Sequence, residues 1–472
     1  MNEWGGRRWG VLLVLCGAIF LEGIDIAMLN VALPVIRADL GLATGELQWV
    51  VSAYVLGYGG FMLLGGRTAD LLGRREVFLW ALVVFLVFSG LGGLATESWM
   101  LIAARFVTGV AAAFMTPAGL SIITTTFEQG PQRNKALLVY SGIAAGGFTL
   151  GLVIGGLLTS LGWRWVFFAP VGLSAVILAF ALPLIPRSAR ERRTGLRFDV
   201  AGAVTVTGAI VLIVLGVERS AHVPVPMTAA TLAAGLVLLA VFVVIERRAK
   251  TPLVRLGIFG NGALVRAGLT MSLLAAGFFG FQFIVVLYLQ ELRGWSTLET
   301  SVAMLLLGVD VLLSPTVVPK LVTRFGTTRV IFCGMLLAAT AYVVFLPVAP
   351  DWTYAAMMPS LLLLGVAFAL AYGPATIAAT DGVDEREQGL AGGLLYTSFQ
   401  FGAALGLSAA AAVNVAYTRS GTAAGMLEGY RTALLVPVAL GLAGMMVAAA
   451  GLFGKRRKKI PGSVAESLVS AD

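Results

Sequence analysis

Fourteen apolar runs, each long enough to cross a bilayer as a helix, dominate this chain of 472 residues. At 1.5 Å per residue, a helix needs roughly 20 mostly apolar residues to pass through the hydrocarbon. The runs cover residues 9–36, 48–69, 77–95, 100–124, 136–160, 166–184, 200–217, 227–245, 263–289, 300–320, 329–348, 353–376, 390–417 and 431–453. They are rich in Gly, Ala and Leu and lack the ten-residue alternation of a membrane barrel. Charged residues make up only 12% of the chain and hydrophobic ones 58%, whereas a soluble domain carries about 25% charge. A soluble enzyme, a disordered protein and a secreted disulfide scaffold are excluded. The chain reads as an all-α polytopic membrane protein.

The positive charges give the topology. With the N-terminus inside, the cytoplasmic segments carry Arg7, Arg8, Arg67, Arg74, Arg75, Arg133, Lys135, the linker arginines 187–197, residues 247–266, Lys320, Arg324, Arg329, Arg386 and the terminal Lys455–Lys459 cluster. Only Arg37, Arg164, Arg219, Arg293, Arg419 and Arg431 fall outside, and Arg105 lies within a span. That bias is what the positive-inside rule demands, and both termini are expected in the cytoplasm. The net charge of +9 is therefore read as topology and attraction to anionic membrane lipid, with no nucleic-acid partner. The first run holds Glu22 and Asp25 and no small-x-small cleavage site, so it is expected to stay as a permanent span. One histidine, His222, and two isolated cysteines, Cys16 and Cys333, leave no metal site and no disulfide framework. No phosphate loop is present, so no cofactor is expected.

Three matches in order mark an internal repeat. Gly73 after span 2 aligns with Gly326 after span 10, Gly109 of span 4 with Gly365 of span 12, and Tyr140 of span 5 with Tyr396 of span 13. Residues 1–186 and 263–454 are then two pseudo-symmetric six-helix bundles. Residues 187–262 hold linkers and an inserted pair, spans 7 and 8, and 455–472 form a basic cytoplasmic tail. Two such halves meeting at a central cavity make a transporter plan with alternating access.

Specific motifs sharpen this. The loop after span 2 reads GGRTADLLGRREVF, with Gly66, Asp70, Gly73, Arg74 and Arg75 in register with the hallmark loop of the major facilitator superfamily. Span 1 carries IDIAMLNVALP, span 4 the Arg105/Gly109 pattern, and span 5 GFTLGLVIGG with Gly147, Gly151, Gly155 and Gly156. WRWVFF and YLQ complete the set. The chain resembles the 14-helix drug:proton antiporters of that superfamily along essentially its whole length. Leu152 stands where the antiporter motif of span 5 usually has proline.

Ionisable groups within hydrocarbon are costly and mark function by default. Glu22, Asp25 and Asp310 lie near mid-span, the first two on one helical face. Such carboxyls can take a proton on one side and release it on the other, and depth along the two helices lets Arg105 reach Asp25. The resemblance implies that the span 1 acid faces the cavity and couples protons to substrate. It also implies that the loop with Asp70 and Arg74 is a charge latch and that the span 5 glycines form the hinge between halves. Asn30, Phe278, Phe279, Phe281, Gln282, Tyr396, Phe399 and Gln400 are the expected cavity lining for flat, amphiphilic compounds.

The expected function is proton-coupled efflux of amphiphilic drugs or an antibiotic, with protons as the coupling ion and no enzymatic activity. The alternative is a dedicated exporter of an endogenous metabolite, siderophore or lipid. Proton-driven uptake ranks lower, because span 1 has no ExxER motif. Arg far outnumbers Lys, and Ala and Gly abound, a coding signature of GC-rich bacteria. A monomer in a bacterial cytoplasmic membrane, with a small amphiphilic substrate and lipid as its partners, is expected.

Overall fold

The computed structural model describes residues 5–42, 44–186, 199–218, 223–249, 252, 254, 256–418 and 422–453. The linker 187–198, His222 and the tail 455–472 lie outside the described residues, as does the side chain of Asn30 on its helix. Among the described residues all regular structure is helical. The first six helices are α1 (Gly6–Leu40), α2 (Thr44–Leu72), α3 (Arg74–Gly93), α4 (Ser98–Thr126), α5 (Pro131–Leu161) and α6 (Trp165–Leu184). The inserted pair is α7 (Val200–Glu218) and α8 (Val225–Arg248). The rest are α9 (Gly262–Leu287), α10 (Thr297–Met304), α11 (Asp310–Thr316), α12 (Val318–Phe325), α13 (Thr327–Phe345), α14 (Tyr354–Thr380), α15 (Gln388–Tyr417), α16 (Ala423–Ala433) and α17 (Leu435–Phe453). Together they supply 14 segments long and apolar enough to cross a membrane.

Two spans depart from the simple reading. The tenth is not one helix over 300–320. It runs as α10, a 3-10 turn at Leu305–Val309, α11 and α12. Gly308, Pro315 and Pro319 explain the interruption, since glycine weakens a helix and proline withholds an N–H. The fourteenth begins at Ala423, not at Arg431, with Thr422 capping it through Gly425 N–H at 3.3 Å. It breaks at Leu434, three residues before Pro437.

Glycine contacts show that the two halves are built alike. A methyl added at Gly109 of α4 would overlap the Tyr54 backbone of α2, and one at Gly365 of α14 would meet the Leu307 carbonyl of the tenth span at 2.6 Å. Gly147, Gly151 and Gly155 let α5 lie on Phe20, Ile24 and Met28 of α1, while Gly402 and Gly406 let α15 lie on Ser272 and Ala276 of α9. Gly73 and Gly326, aligned by the repeat, both precede the next helix with φ of 109° and 82°, a region that side-chain-bearing residues avoid. The first half is thus α1–α6 and the second α9–α17.

These contacts correct the expected hinge. The Gly147/Gly151/Gly155 face glues α5 to α1 within the first half. The seam is lined by the neighbouring face of α5, where Gly142 meets Ser314 and Gly146 meets Val311 of α11. One residue along a helix is about 100° around it, so Gly146 and Gly147 face different partners. Gly156 joins neither row; its nearest neighbour is Leu298 at 4.0 Å. The outer surface is apolar, with Trp80 at 71%, Val415 at 76% and Val225 at 80% exposed, as lipid-facing residues are.

Candidate functional site

Three carboxyl side chains sit inside the bundle, with Glu22 at 3%, Asp25 at 2% and Asp310 at 2% exposure. None faces lipid. Each has a different kind of partner. Asp25 Oδ2 accepts a hydrogen bond from Arg105 Nη1 at 2.6 Å, and the Arg105 side chain is itself 3% exposed. The guanidinium lies 4.3 Å above the Tyr54 ring, a cation–π contact that fixes its plane.

Glu22, one turn away on α1, has only hydroxyl partners among the described residues. Tyr58 Oη donates to Oε2 at 2.9 Å, and Thr116 Oγ1 lies 2.7 and 2.5 Å from the two oxygens. Thr116 Oγ1 also lies 3.1 Å from the Ala112 carbonyl. A threonine has one hydrogen to give. Thr116 therefore gives it either to Glu22 or to the Ala112 carbonyl, and Tyr58 Oη lies a further 3.1 Å from Thr116 Oγ1. Arg105 and Thr116 share a face of α4 about three turns apart, so both carboxyls of α1 meet this one helix.

Asp310 opens α11 directly after the 3-10 turn. Its carboxyl lies against the backbone N–H groups of Asp310 and Val311, and its own carbonyl faces Gly142 of α5 across the seam. Tyr372 of α14 is within electrostatic reach of both Glu22 and Asp310. The acids of the two halves therefore flank one interior region.

Aromatic rings form the wall of that region on the side of the second half. Phe279 of α9 has its ring centroid 5.4 Å from Phe278, 6.1 Å from Phe399 and 5.9 Å from Phe148 of α5, which belongs to the other half. Phe368 stacks on Tyr372 at 5.1 Å, and Tyr372 meets Phe399 edge-on at 5.4 Å. Gln282 and Gln400 are half-buried and Tyr396 is buried. Phe281 is a correction. It points away from the cluster into the core of the second half, 5.3 Å from Tyr342 and 5.1 Å from Phe345. Two residues beyond Phe279 is about 200° around the helix, which turns it to α13.

At one end the halves are fastened together. Asp70 at the end of α2 accepts from Gly389 N–H at 3.1 Å and Leu390 N–H at 3.0 Å, the first turn of α15. That helix has no side-chain cap of its own, so Asp70 caps it from the opposite half. Arg74 Nε lies 3.6 Å from Asp70 Oδ1, and its Nη2 donates to the Glu385 carbonyl. Gly66 and Gly389 pack backbone to backbone, and Gln129 donates to Asp381 at 2.9 Å. Arg75 takes no part. It donates to Ile185 and Leu182 carbonyls at 2.9 and 2.8 Å, pinning α3 to α6 inside the first half. At the other end Asp39 accepts from Trp163 at 2.8 Å and Arg164 at 3.0 Å.

Residue type alone did not single out Tyr54, Tyr58, Thr116, Tyr372, Phe148 or Phe368. Tyr54 and Tyr58 carry a usable signal: two polar-tipped rings four residues apart in an apolar run share one face and need a buried partner.

Two six-span halves closing around buried acids and a wall of rings define a membrane transporter rather than an enzyme. The family model described as Major Facilitator Superfamily matches residues 15–407, and the chain belongs to that superfamily. It is 33% identical over 452 residues to the puromycin resistance protein pur8 of Streptomyces alboniger, covering 92% of this chain and 89% of that one. It is 35% identical over 436 residues to the cephamycin export protein CmcT of Amycolatopsis lactamdurans, covering 88% and 86%. The fold matches the crystal structure of the human organic anion transporter MFSD10 with a TM-score of 0.68 at 16% identity, over 94% of this chain and all of that one.

Proposed function

We propose that the protein exports an amphiphilic drug or antibiotic in exchange for protons by alternating access. The observation that carries this reading is the pair of buried acids on one face of α1, one held by a guanidinium and one by hydroxyls. When Asp25 takes a proton, its hold on Arg105 weakens, and the released guanidinium and the emptied rung become available for rearrangement. Glu22 and Asp310 are proton carriers of a second kind, bound only by neutral groups. The interior then tolerates a cationic or neutral cargo, and rings such as Phe279 and Tyr372 offer it flat contact. Each exchanged charge draws about 2.3 kcal/mol per 100 mV of membrane potential.

The relatives named for antibiotic resistance and export support the cargo class. The charge bias of the loops supports placing the Arg74 end and both termini in the cytoplasm of a bacterium. In this orientation Asp70 and Arg74 hold the cytoplasmic end shut. The protein acts as a monomer with protons as its only coupling ligand.

The test is transport in proteoliposomes under an imposed pH gradient. Native protein should expel an ethidium-class cation with the gradient, and Asp25→Asn should lose at least 100-fold of the gradient-driven rate while still binding the cation. Gradient-driven efflux unaffected by Asp25→Asn sinks the proton assignment.

A further inference from the structure

The inserted pair α7 and α8 brings two carboxyl groups together at the Arg74 end. Asp199 caps α7, its Oδ1 accepting Gly202 N–H at 2.8 Å. Glu246, near the end of α8, is 4% exposed, and its Oε1 accepts from Val254 N–H. The remaining oxygens, Asp199 Oδ2 and Glu246 Oε2, are buried with no donor. Both border the same glycine: a methyl built on Gly202 would lie 2.6 Å from Asp199 Oδ2 and 2.9 Å from Glu246 Oε2. Two unpartnered oxygens so placed meet acceptor to acceptor, and one hydrogen held between them would satisfy both.

The surroundings connect this pair to the latch. Among the described residues, the charged groups in electrostatic reach of Glu246 are Asp199 and Arg67 of α2. Arg247 and Arg248 on α8 are exposed, and α15, which packs on α7, contains no charged residue. Arg67 Nη2 donates to the Pro252 carbonyl at 3.2 Å, on the chain that returns past Glu246. Arg67 is also within electrostatic reach of Asp70, the carboxyl that caps α15. It stands between the acid pair and the latch. The insert itself straddles the seam: Val211 and Val214 of α7 lie on Gly60 and Gly59 of α2, and Ser408 of α15 donates to the Val217 carbonyl at 3.2 Å.

We propose that Asp199 and Glu246 form a second proton-binding site, outside the transport path, that sets through Arg67 how firmly Asp70 holds the two halves together. With one proton bound, the pair carries a single negative charge and Arg67 supports Asp70. When that proton leaves to water on the same side, two negative charges draw Arg67 toward α8 and the latch loosens. No proton crosses the membrane in this step. So long as Asp70 stays ionised, a proton on the pair thus keeps that end shut.

The inference builds on the transporter reading, but its test needs neither cargo nor gradient. Full-length protein in lipid nanodiscs, carrying Cys333→Ser, is spin-labelled at Leu72→Cys and Phe325→Cys, one on each half at the latch end. The distance distribution should lengthen as pH moves from near neutral to mildly alkaline. That response should vanish in Glu246→Gln and in Asp199→Asn. Infrared difference spectra should lose a protonated-carboxyl band in Glu246→Gln. Arg67→Gln, which leaves both acids in place, should keep the band and lose the distance response. An unchanged pH response in all three variants, or an infrared band indifferent to Glu246→Gln, overturns the proposal. Normal gradient-driven export beside a pH-insensitive distance overturns it alone and leaves the transport reading standing.

Discussion

The two halves share a scaffold but not a chemistry. In the first, Arg105 sits four residues before Gly109 and pairs with Asp25; in the second, the residue four before Gly365 is Leu361, fully packed in the core. The second half accordingly keeps Asp310, its one buried acid among the described residues, against peptide N–H groups at a helix break. What it has instead is rings: Phe278, Phe279, Phe368, Tyr372 and Phe399. Duplication copied the helix packing, and the copies then specialised. The buried ion pair lies in one half and the cluster of rings in the other.

The sharpest attempt to erase the difference is Arg105→Leu, which gives the first half the residue of the second. It strands a buried carboxylate, and a loss of about 3–5 kcal/mol in stability is expected. Thermal unfolding in detergent measures it, and adding Asp25→Asn should restore most of the stability. If Arg105→Leu alone unfolds like the native protein, the ion pair is not what holds that half. Asp310→Asn probes the other side. Because no base loses its partner, a stability change within about 1 kcal/mol is expected, set by ordinary hydrogen-bond replacement, together with fewer protons exchanged per cargo. A loss as large as that of Arg105→Leu would erase the contrast. Phe279→Ala should weaken cargo binding by about 0.5–1.5 kcal/mol per lost ring contact and leave the pH dependence of transport alone. A shifted pH profile would mean that the halves do not divide the work.

The smallest effect belongs to the far end of the first half. The Trp163 and Arg164 hydrogen bonds hold the Asp39 carboxyl below the usual carboxylate range. A group lowered in this way adds stability above its ordinary value near 3.9, and that contribution is lost as pH falls through the folded value. Asp39→Asn should therefore lower the melting temperature slightly at neutral pH and not at strongly acidic pH. An equal loss at both would assign the effect to packing.

Most of the scaffold was legible because lipid is an unforgiving solvent. Helix length, loop charge and the Gly73/Gly326 repeat all follow from local rules. The Arg105–Asp25 contact was within reach of depth arithmetic. Partners that are neutral were not: Thr116 and Tyr58 look like ordinary span residues until the fold sets them on Glu22. The glycine row of α5 was read as a row, but one row cannot say which of two neighbouring helices it meets. The breaks in span 10 were hidden for a related reason. Pro315 and Pro319 announce a defect, yet the 3-10 turn lies upstream of both, where α5 presses Thr149 on Gly308.

That interrupted span has a mechanical corollary. A continuous helix moves as a rod, so a push at one end arrives at the other. Cut into three short pieces, this segment can rewind by a residue or two at Asp310 while its ends stay anchored in the bundle. Its neighbours need not swing for the acid to change company. The earliest structural response to the proton here should be a local change of pitch, seen as faster amide exchange between Leu305 and Val311 before any labelled helix end moves.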